Sequence, residues 1–148
     1  MISEYTTTAA VDAPAEVVWA VLSNASEYAL WNPEIIGVDG MFAAGARVKA
    51  HVRLGSGVVR TIAQRVEAFE PPRHMQWVGG LPFGLFVGRR TFTIEPRGTG
   101  AEFRMQLHMS GPMAAMILKS VGDRQPEIDG FSRGLKERAE AVARLRKR

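Results

Sequence analysis

Cysteine is absent from the 148 residues, which excludes a disulfide framework, a thiol nucleophile and a zinc site built on thiolates. Histidine is scarce. His51 and His108 fall on the polar sides of alternating stretches and His74 sits beside a Pro72-Arg73 turn, so all three are expected at the surface. No two of them have metal-ligand spacing, and no metal is expected. Long apolar runs are missing too, and Glu4 stands where a secretory leader would be turning apolar. Neither a membrane span nor secretion is expected, and the location expected is cytoplasmic. No nucleophile-elbow, Walker or dinucleotide fingerprint occurs: Gly79, Gly80, Gly84 and Gly88 are spaced wrongly and lie among apolar residues. No cofactor is expected. Basic residues outnumber acidic ones by 19 to 15, and much of that excess sits in Arg144, Arg146, Lys147 and Arg148, with no interleaved aromatics. A solvated helix end accounts for them, and no nucleic-acid partner is expected.

What is present is an ordinary globular composition, 46% hydrophobic and 23% charged, in a length that predicts one domain, 1–148, with a real core. The dominant element is a helix over 125–148. Ile128, Phe131, Leu135, Ala139, Val142 and Leu145 recur every three or four residues and form its apolar stripe. Pro126 suits a first turn and Asp123 is a candidate cap. Gly130 and Gly134 stack on one face, each about 1 kcal/mol worse than alanine in a helix, which predicts a kink or a close neighbour. This helix is read as the lid of a pocket.

Upstream, residues 2–11 read as a strand, Asp12 as an N-cap, and 14–22 as a short helix with Val17, Val18, Val21 and Leu22 inward. A second short helix runs from Asn24 or Ser26 to Trp31 and stops at Asn32-Pro33. Strands follow over 34–38, 46–54, 58–69, 74–78, 89–95 and 101–109, separated by Gly- and Pro-rich turns. In 46–54, Val48, Ala50, Val52 and Leu54 alternate with Lys49, His51 and Arg53; in 101–109, Ala101, Phe103, Met105, Leu107 and Met109 share a face. Residues 79–88, GGLPFGLFVG, suit neither a strand interior nor a solvated loop and read as an apolar flap. Residues 113–121 read as a helical segment. The order predicts an α+β fold, one antiparallel sheet half-covered by helix, with a cavity between its curved apolar face and the terminal helix.

Four stretches, VDAPAEVVWAVLSN (11–24), YALWNP (28–33), VEAFEPPRHMQW (66–77) and FTIEPRGTGAEF (92–103), resemble the polyketide cyclase/dehydrase branch of the SRPBCC, or START-like, superfamily. The resemblance runs almost end to end. It implies a helix-grip fold, a curved seven-stranded antiparallel sheet wrapped around a long C-terminal helix, with two short helices after strand 1 and a hydrophobic ligand cavity. Where branch members often carry a histidine in the sixth strand and a glutamate in the seventh, this chain has Arg90 and Leu107. The inward carboxylate is gone.

Strand parity selects the cavity wall. If Trp77, Phe92 and Phe103 point inward, so do Met75, Arg90, Ile94, Met105 and Leu107; placing Val66 inside brings in Ile62, Gln64 and Arg60, with Asn32 near the mouth. The ligand-binding set is therefore Trp31, Arg60, Gln64, Trp77, Arg90, Phe92, Phe103, Met105, Leu107, Met109, Met116 and Phe131. An inward guanidinium needs a carboxylate, from the acidic head of an amphipathic ligand or from Glu67, Glu95 or Glu102, unless the arginine snorkels to water. The function expected is binding of a small hydrophobic or amphipathic molecule, a lipid, a polyketide-like compound or an aromatic acid. The alternative is a cyclase/dehydrase-type enzyme using Arg60, Arg90 or Tyr28 to polarise a carbonyl, for which parity supplies no acid/base pair. A protein-interaction module using the flap is a third reading. Either a monomer or a homodimer is expected.

Overall fold

The computed structural model describes residues 3–147; Ile2 and Arg148, expected in the first strand and last helix, lie outside the described residues. Seven strands form one antiparallel sheet: β1 (Ser3–Val11), β2 (Ile35–Asp39), β3 (Arg47–Arg53), β4 (Val59–Glu70), β5 (His74–Leu81), β6 (Phe86–Arg97) and β7 (Gly100–Ser110). Their spatial order is β1-β7-β6-β5-β4-β3-β2. Strands β2 to β7 thus follow one another as hairpins, as short connections favour, and β1 closes the far edge against β7. Three helices lie against the apolar face: α1 (Ala15–Leu22), α2 (Ala114–Val121) and α3 (Gln125–Arg146).

Alternation does most of the specification. On β7, Ala101, Phe103, Met105, Leu107 and Met109 are all buried, and on β3 Val48, Ala50 and Val52 are buried while Lys49 and Arg53 are exposed. Because the side-chain period is two, this fixes which face the helices must cover. Helix α1 meets it with Val17, Val18, Val21 and Leu22 buried.

The second short helix is a 3₁₀ segment, Ala25–Leu30. Tyr28 pins it: its buried hydroxyl donates to the Leu22 carbonyl at 2.6 Å. Asp12 does not cap α1. Pro14 holds the N-cap position without a side-chain hydrogen bond, and Asp12 instead donates its own N–H to Glu140 at 2.8 Å. The 79–88 flap is resolved into ordinary hairpin: β5 runs to Leu81, β6 begins at Phe86, and a 3₁₀ turn, Pro82–Gly84, joins them. Glycine tolerance of positive φ explains the difference, since Gly80 at 144° and Gly84 at 70° let the ribbon twist and turn.

Helix α3 buries Ile128, Phe131, Leu135, Ala139 and Ala143, while Leu145 is 64% exposed. After Ala139 the buried side steps on by four residues to Ala143, and the helix outruns the core. Asp123 accepts the Gln125 N–H at 3.0 Å, although Arg124 holds the N-cap position. Phe131 is the centre of the aromatic core, edge-on to Trp31 at 5.4 Å and stacked on Phe103 at 6.1 Å. It is core rather than lid. The glycine pair is explained by a close neighbour: a Cβ on Gly134 would lie 2.1 Å from the Trp31 carbonyl oxygen, and one on Gly130 3.1 Å from Pro33 Cγ. Among the described residues no helix is long and apolar enough to cross a membrane.

The two glycines should therefore separate in their response to alanine. Gly134→Ala collides with backbone, and despite alanine's better helix propensity it is expected to lower stability by about 1–3 kcal/mol. Gly130→Ala, facing a movable ring edge, is expected to stay within about 1 kcal/mol of wild type. Urea unfolding of the two variants measures the difference.

Candidate functional site

The inner face of the sheet is filled unevenly. Reading across the register, Met75, Phe92 and Met105 form one inward row and Trp77, Arg90 and Leu107 the next. One step further the row reads Gly79, Gly88 and Met109. Two side chains are missing from the wall there. A Cβ on Gly79 would meet the Ala63 carbonyl oxygen at 2.6 Å, but Gly88 stands open, and beside it lies a cavity of about 120 Å³. Val52, Leu54 and Ile62 wall it on the β3–β4 side and Leu107 and Met109 on the β7 side, while Ile117 and Val121 of α2 form the roof. The stripe of α3 takes no part. The lid of this cavity is the short helix α2, and α3 fills the other half of the concave face with Phe131 and its aromatic neighbours.

The polar end of the cavity is Gln64, Arg90 and Arg124. Arg90 is held by a carboxylate from the entry to the edge strand β2. Its Nη1 and Nη2 donate to Glu34 Oε1 and Oε2 at 2.7 and 2.8 Å, and Nη1 also meets Met105 Sδ at 3.5 Å. Arg124 donates through Nη2 to the same Glu34 Oε2 at 2.6 Å. All three side chains are buried, Glu34 to within 1% of complete. Asn32 prepares the carboxylate: its Oδ1 accepts the N–H groups of Glu34 and Ile35 at 2.9 and 2.8 Å. The Glu34 carbonyl in turn accepts the Arg53 N–H at 2.8 Å.

Within this cluster two cations share one anion, and one turn along α3 Glu127 Oε2 is buried without a partner. Arg124 Nη1 and Gln64 Oε1 are both buried without a hydrogen-bond partner. Burial pushes the Glu34 carboxyl up, but the Arg90 charge and hydrogen bonds, joined by those of Arg124, outweigh it and hold the group below its ordinary 4.5. For Arg90, burial pushes down and the Glu34 charge more than restores it. Burial pushes the Tyr28 hydroxyl well above its ordinary range, against the pull of the Arg90 charge.

Of the residues that sequence reasoning nominated, the structure brings Gln64, Arg90, Leu107 and Met109 together at the cavity. Trp77, Phe92, Phe103, Met105 and Phe131 lie fully buried in the core beside it, and Trp31 packs on Tyr28 and Phe131. Arg60 and Met116 differ from the expectation. Arg60 pairs with inward Val52 but is exposed, in an uncovered stretch that also exposes Val58 and Val59. Met116 is 58% exposed, because Ile117 and Val121 take the inner side of α2. The proposed acidic partners are also replaced: Glu95 and Glu102 lie near Arg97, at 3.3 and 3.7 Å, and Glu67 serves Arg65 and Arg89. Glu34 and Arg124 were missed. The available signal was the unmet need of an inward Arg90, with Glu34 standing between Pro33 and the apolar Ile35-Ile36.

The fold and family are recognisable from known proteins. Residues 3–140 match the family described as polyketide cyclase / dehydrase and lipid transport. A START superfamily protein from Mycobacterium smegmatis is 18% identical with a TM-score of 0.71, over 94% of this chain and 98% of that one. The Zhui aromatase/cyclase from Streptomyces sp. R1128 is 17% identical with a TM-score of 0.75, over 95% and 94%. A protein from Mesorhizobium loti reaches 22% identity and a TM-score of 0.68, over 91% and 95%. At such identities these likenesses establish the helix-grip fold and nothing finer. No curated protein matches the chain.

Removing the shared anion should unmask both arginines. Glu34→Gln is expected to cost about 3–5 kcal/mol at neutral pH, since it leaves two buried guanidiniums uncompensated. The sign with pH follows from the depressed carboxyl. Its stabilisation is complete above the unfolded value of 4.5 and is lost as pH falls through the lower folded value. Denaturant unfolding of wild type and variant should therefore converge on the acid side of 4.5 and differ most at neutrality.

Proposed function

Because the chain belongs to the polyketide cyclase/dehydrase and lipid transport family, we propose that it binds a small amphipathic molecule between the sheet and α2. The apolar part lies against Leu107, Met109, Ile117 and Val121, and an acidic head accepts a hydrogen bond from Arg124 Nη1. The observation that carries this reading is a buried, unpartnered Nη1 on a residue that lines an apolar cavity. A neutral apolar ligand would leave that donor unsatisfied, a loss of about 1–3 kcal/mol that a carboxylate or enolate oxygen removes. Gln64 Oε1 adds an acceptor, which suits a hydroxyl near the head.

A volume of 120 Å³ equals the liquid share of about four waters. A larger ligand enters by displacing α2. That helix is built for it: only Ala114 of its residues is buried, its N-cap lacks a side-chain hydrogen bond, and Gly111 and Gly122 flank it at φ 102° and 78°. Few buried contacts and glycine hinges put such a segment at the low end of local stability. The enzymatic alternative has lost two of its nominated groups, since Tyr28 is committed to Leu22 and Arg60 is exposed.

Cavity filling and head-group removal test separate parts of the proposal. A Cβ on Gly88 would meet nothing nearer than 3.8 Å, so Gly88→Val should fold normally and occupy the cavity. Thermal shifts with long-chain and aromatic acids are expected for wild type and absent for Gly88→Val. For Arg124→Met, which leaves the Glu34–Arg90 pair intact, acids should lose their advantage over the matching alcohols, about tenfold or more in Kd. Equal shifts in wild type and Gly88→Val would sink the assignment of this cavity.

A further inference from the structure

Among the described residues, the tip of the β5–β6 hairpin holds the most exposed large apolar side chain. Phe83 is 99% exposed, Leu81 and Leu85 are each 41% exposed, and Met116 of α2 is 58% exposed. Helix α2 is fastened to the tip: Met113 N–H donates to the Leu85 carbonyl at 2.9 Å, and a Cβ on Gly111 would lie 2.7 Å from that oxygen. Phe83 also holds a left-handed backbone, φ 61° and ψ 25°, where glycine or asparagine would be unstrained. A bulky aromatic kept there in water has no packing role within the chain.

Charge identifies the partner. Toward this end of the sheet, residues 78–90 and 107–122 contain no aspartate or glutamate, and Glu4, opposite His108, and Asp123 stand at its border. Arg47 and Arg65 line a groove with Leu81, Pro82 and Phe86. These two arginines stand directly opposite each other on β3 and β4, a like-charge pairing that is unfavourable unless an anion joins it. Glu67 engages Arg65 from one side, while Arg47 has no ion pair among the described residues, nor has Lys119, which is exposed on α2.

We infer that this end is a docking surface for an anionic bilayer. Phe83, Leu81 and Leu85 enter the acyl boundary, and Arg47, Arg65 and Lys119 contact lipid phosphates. The inference does not rest on the ligand reading, since neither Phe83 nor Arg47 lines the cavity. It does set that cavity's roof, Ile117 and Val121, on the membrane side.

Co-sedimentation with vesicles tests it. Wild type is expected to pellet with phosphatidylcholine vesicles containing phosphatidylglycerol, weakly with pure phosphatidylcholine, and less as salt rises. Phe83→Gly relieves the backbone and keeps the fold, yet its partition should fall about tenfold or more. Arg47→Ser should lose the preference for the anionic lipid. Phe83→Trp should shift its emission to the blue on vesicle addition. Wild type left in the supernatant, or Phe83→Gly pelleting as well as wild type, would overturn the inference. So would light scattering that shows the tip consumed in a dimer, broken by Phe83→Gly, with no vesicle binding.

Discussion

One carboxylate holds together three distant parts of the chain. Glu34 stands at the entry to β2, Arg90 in the middle of β6 and Arg124 at the start of α3, and the three meet through bonds of 2.6 to 2.8 Å in a buried environment. Hydrophobic replacement of a buried ion pair is often no less stable than the pair itself. Stability is therefore a poor reason for this arrangement. What it supplies is position: forked guanidinium contacts fix direction as well as distance. The start of α3 is set against the sheet, and α2, just before it, is left spanning the gap. It also sets two cations around one anion.

Position and charge together divide the concave face. On one half, Tyr28, Trp77, Phe92, Phe103 and Phe131 pack ring against ring, and such aromatic contacts add about 0.5–1.5 kcal/mol each beyond area burial. On the other half, Gly79 and Gly88 face each other across β5 and β6, and Gly88 leaves the wall open. The division runs along the row of Trp77, Arg90 and Leu107, so the arginine stands at the boundary between solid core and open space. A cation at that boundary touches both. Arg90 lies 5.8 Å from the Phe131 ring centre on one side and lines the cavity on the other.

Most of the fold was legible because it rests on short-range regularities. Alternation on β3 and β7 located the buried face, and spacing on α3 located Ile128, Phe131, Leu135 and Ala139. The site was legible only in part, because its decisive contacts are long-range. Arg90 was placed inward by parity, but its partner lies 56 positions away and the second arginine 90 positions from that partner. Nothing in local pattern connects them. The glycines of 79–88 were noticed and assigned to a flap. Carrying the parity of Trp77 two residues on would have placed Gly79 inward, and that of Arg90 two residues back would have placed Gly88 opposite it. Absence of a side chain on a buried face is a signal as strong as its presence.

The same geometry constrains how a ligand could be favoured. An amphipathic molecule moving from a bilayer into this cavity exchanges one apolar surrounding for another, so its chain gains little hydrophobic free energy. Discrimination must then come from the head group. A carboxylate at a membrane surface is already hydrated and screened, and it leaves that state for a buried guanidinium only if the low dielectric and a free donor compensate its desolvation. On the proposed reading Arg124 Nη1 is that donor, and Glu34 already holds the other side of the guanidinium. Had the triad been neutral, with one arginine for one carboxylate, the cavity would bind oily molecules without choosing among them. On that reading, it is the second arginine sharing one carboxylate that would make a gap in the core selective.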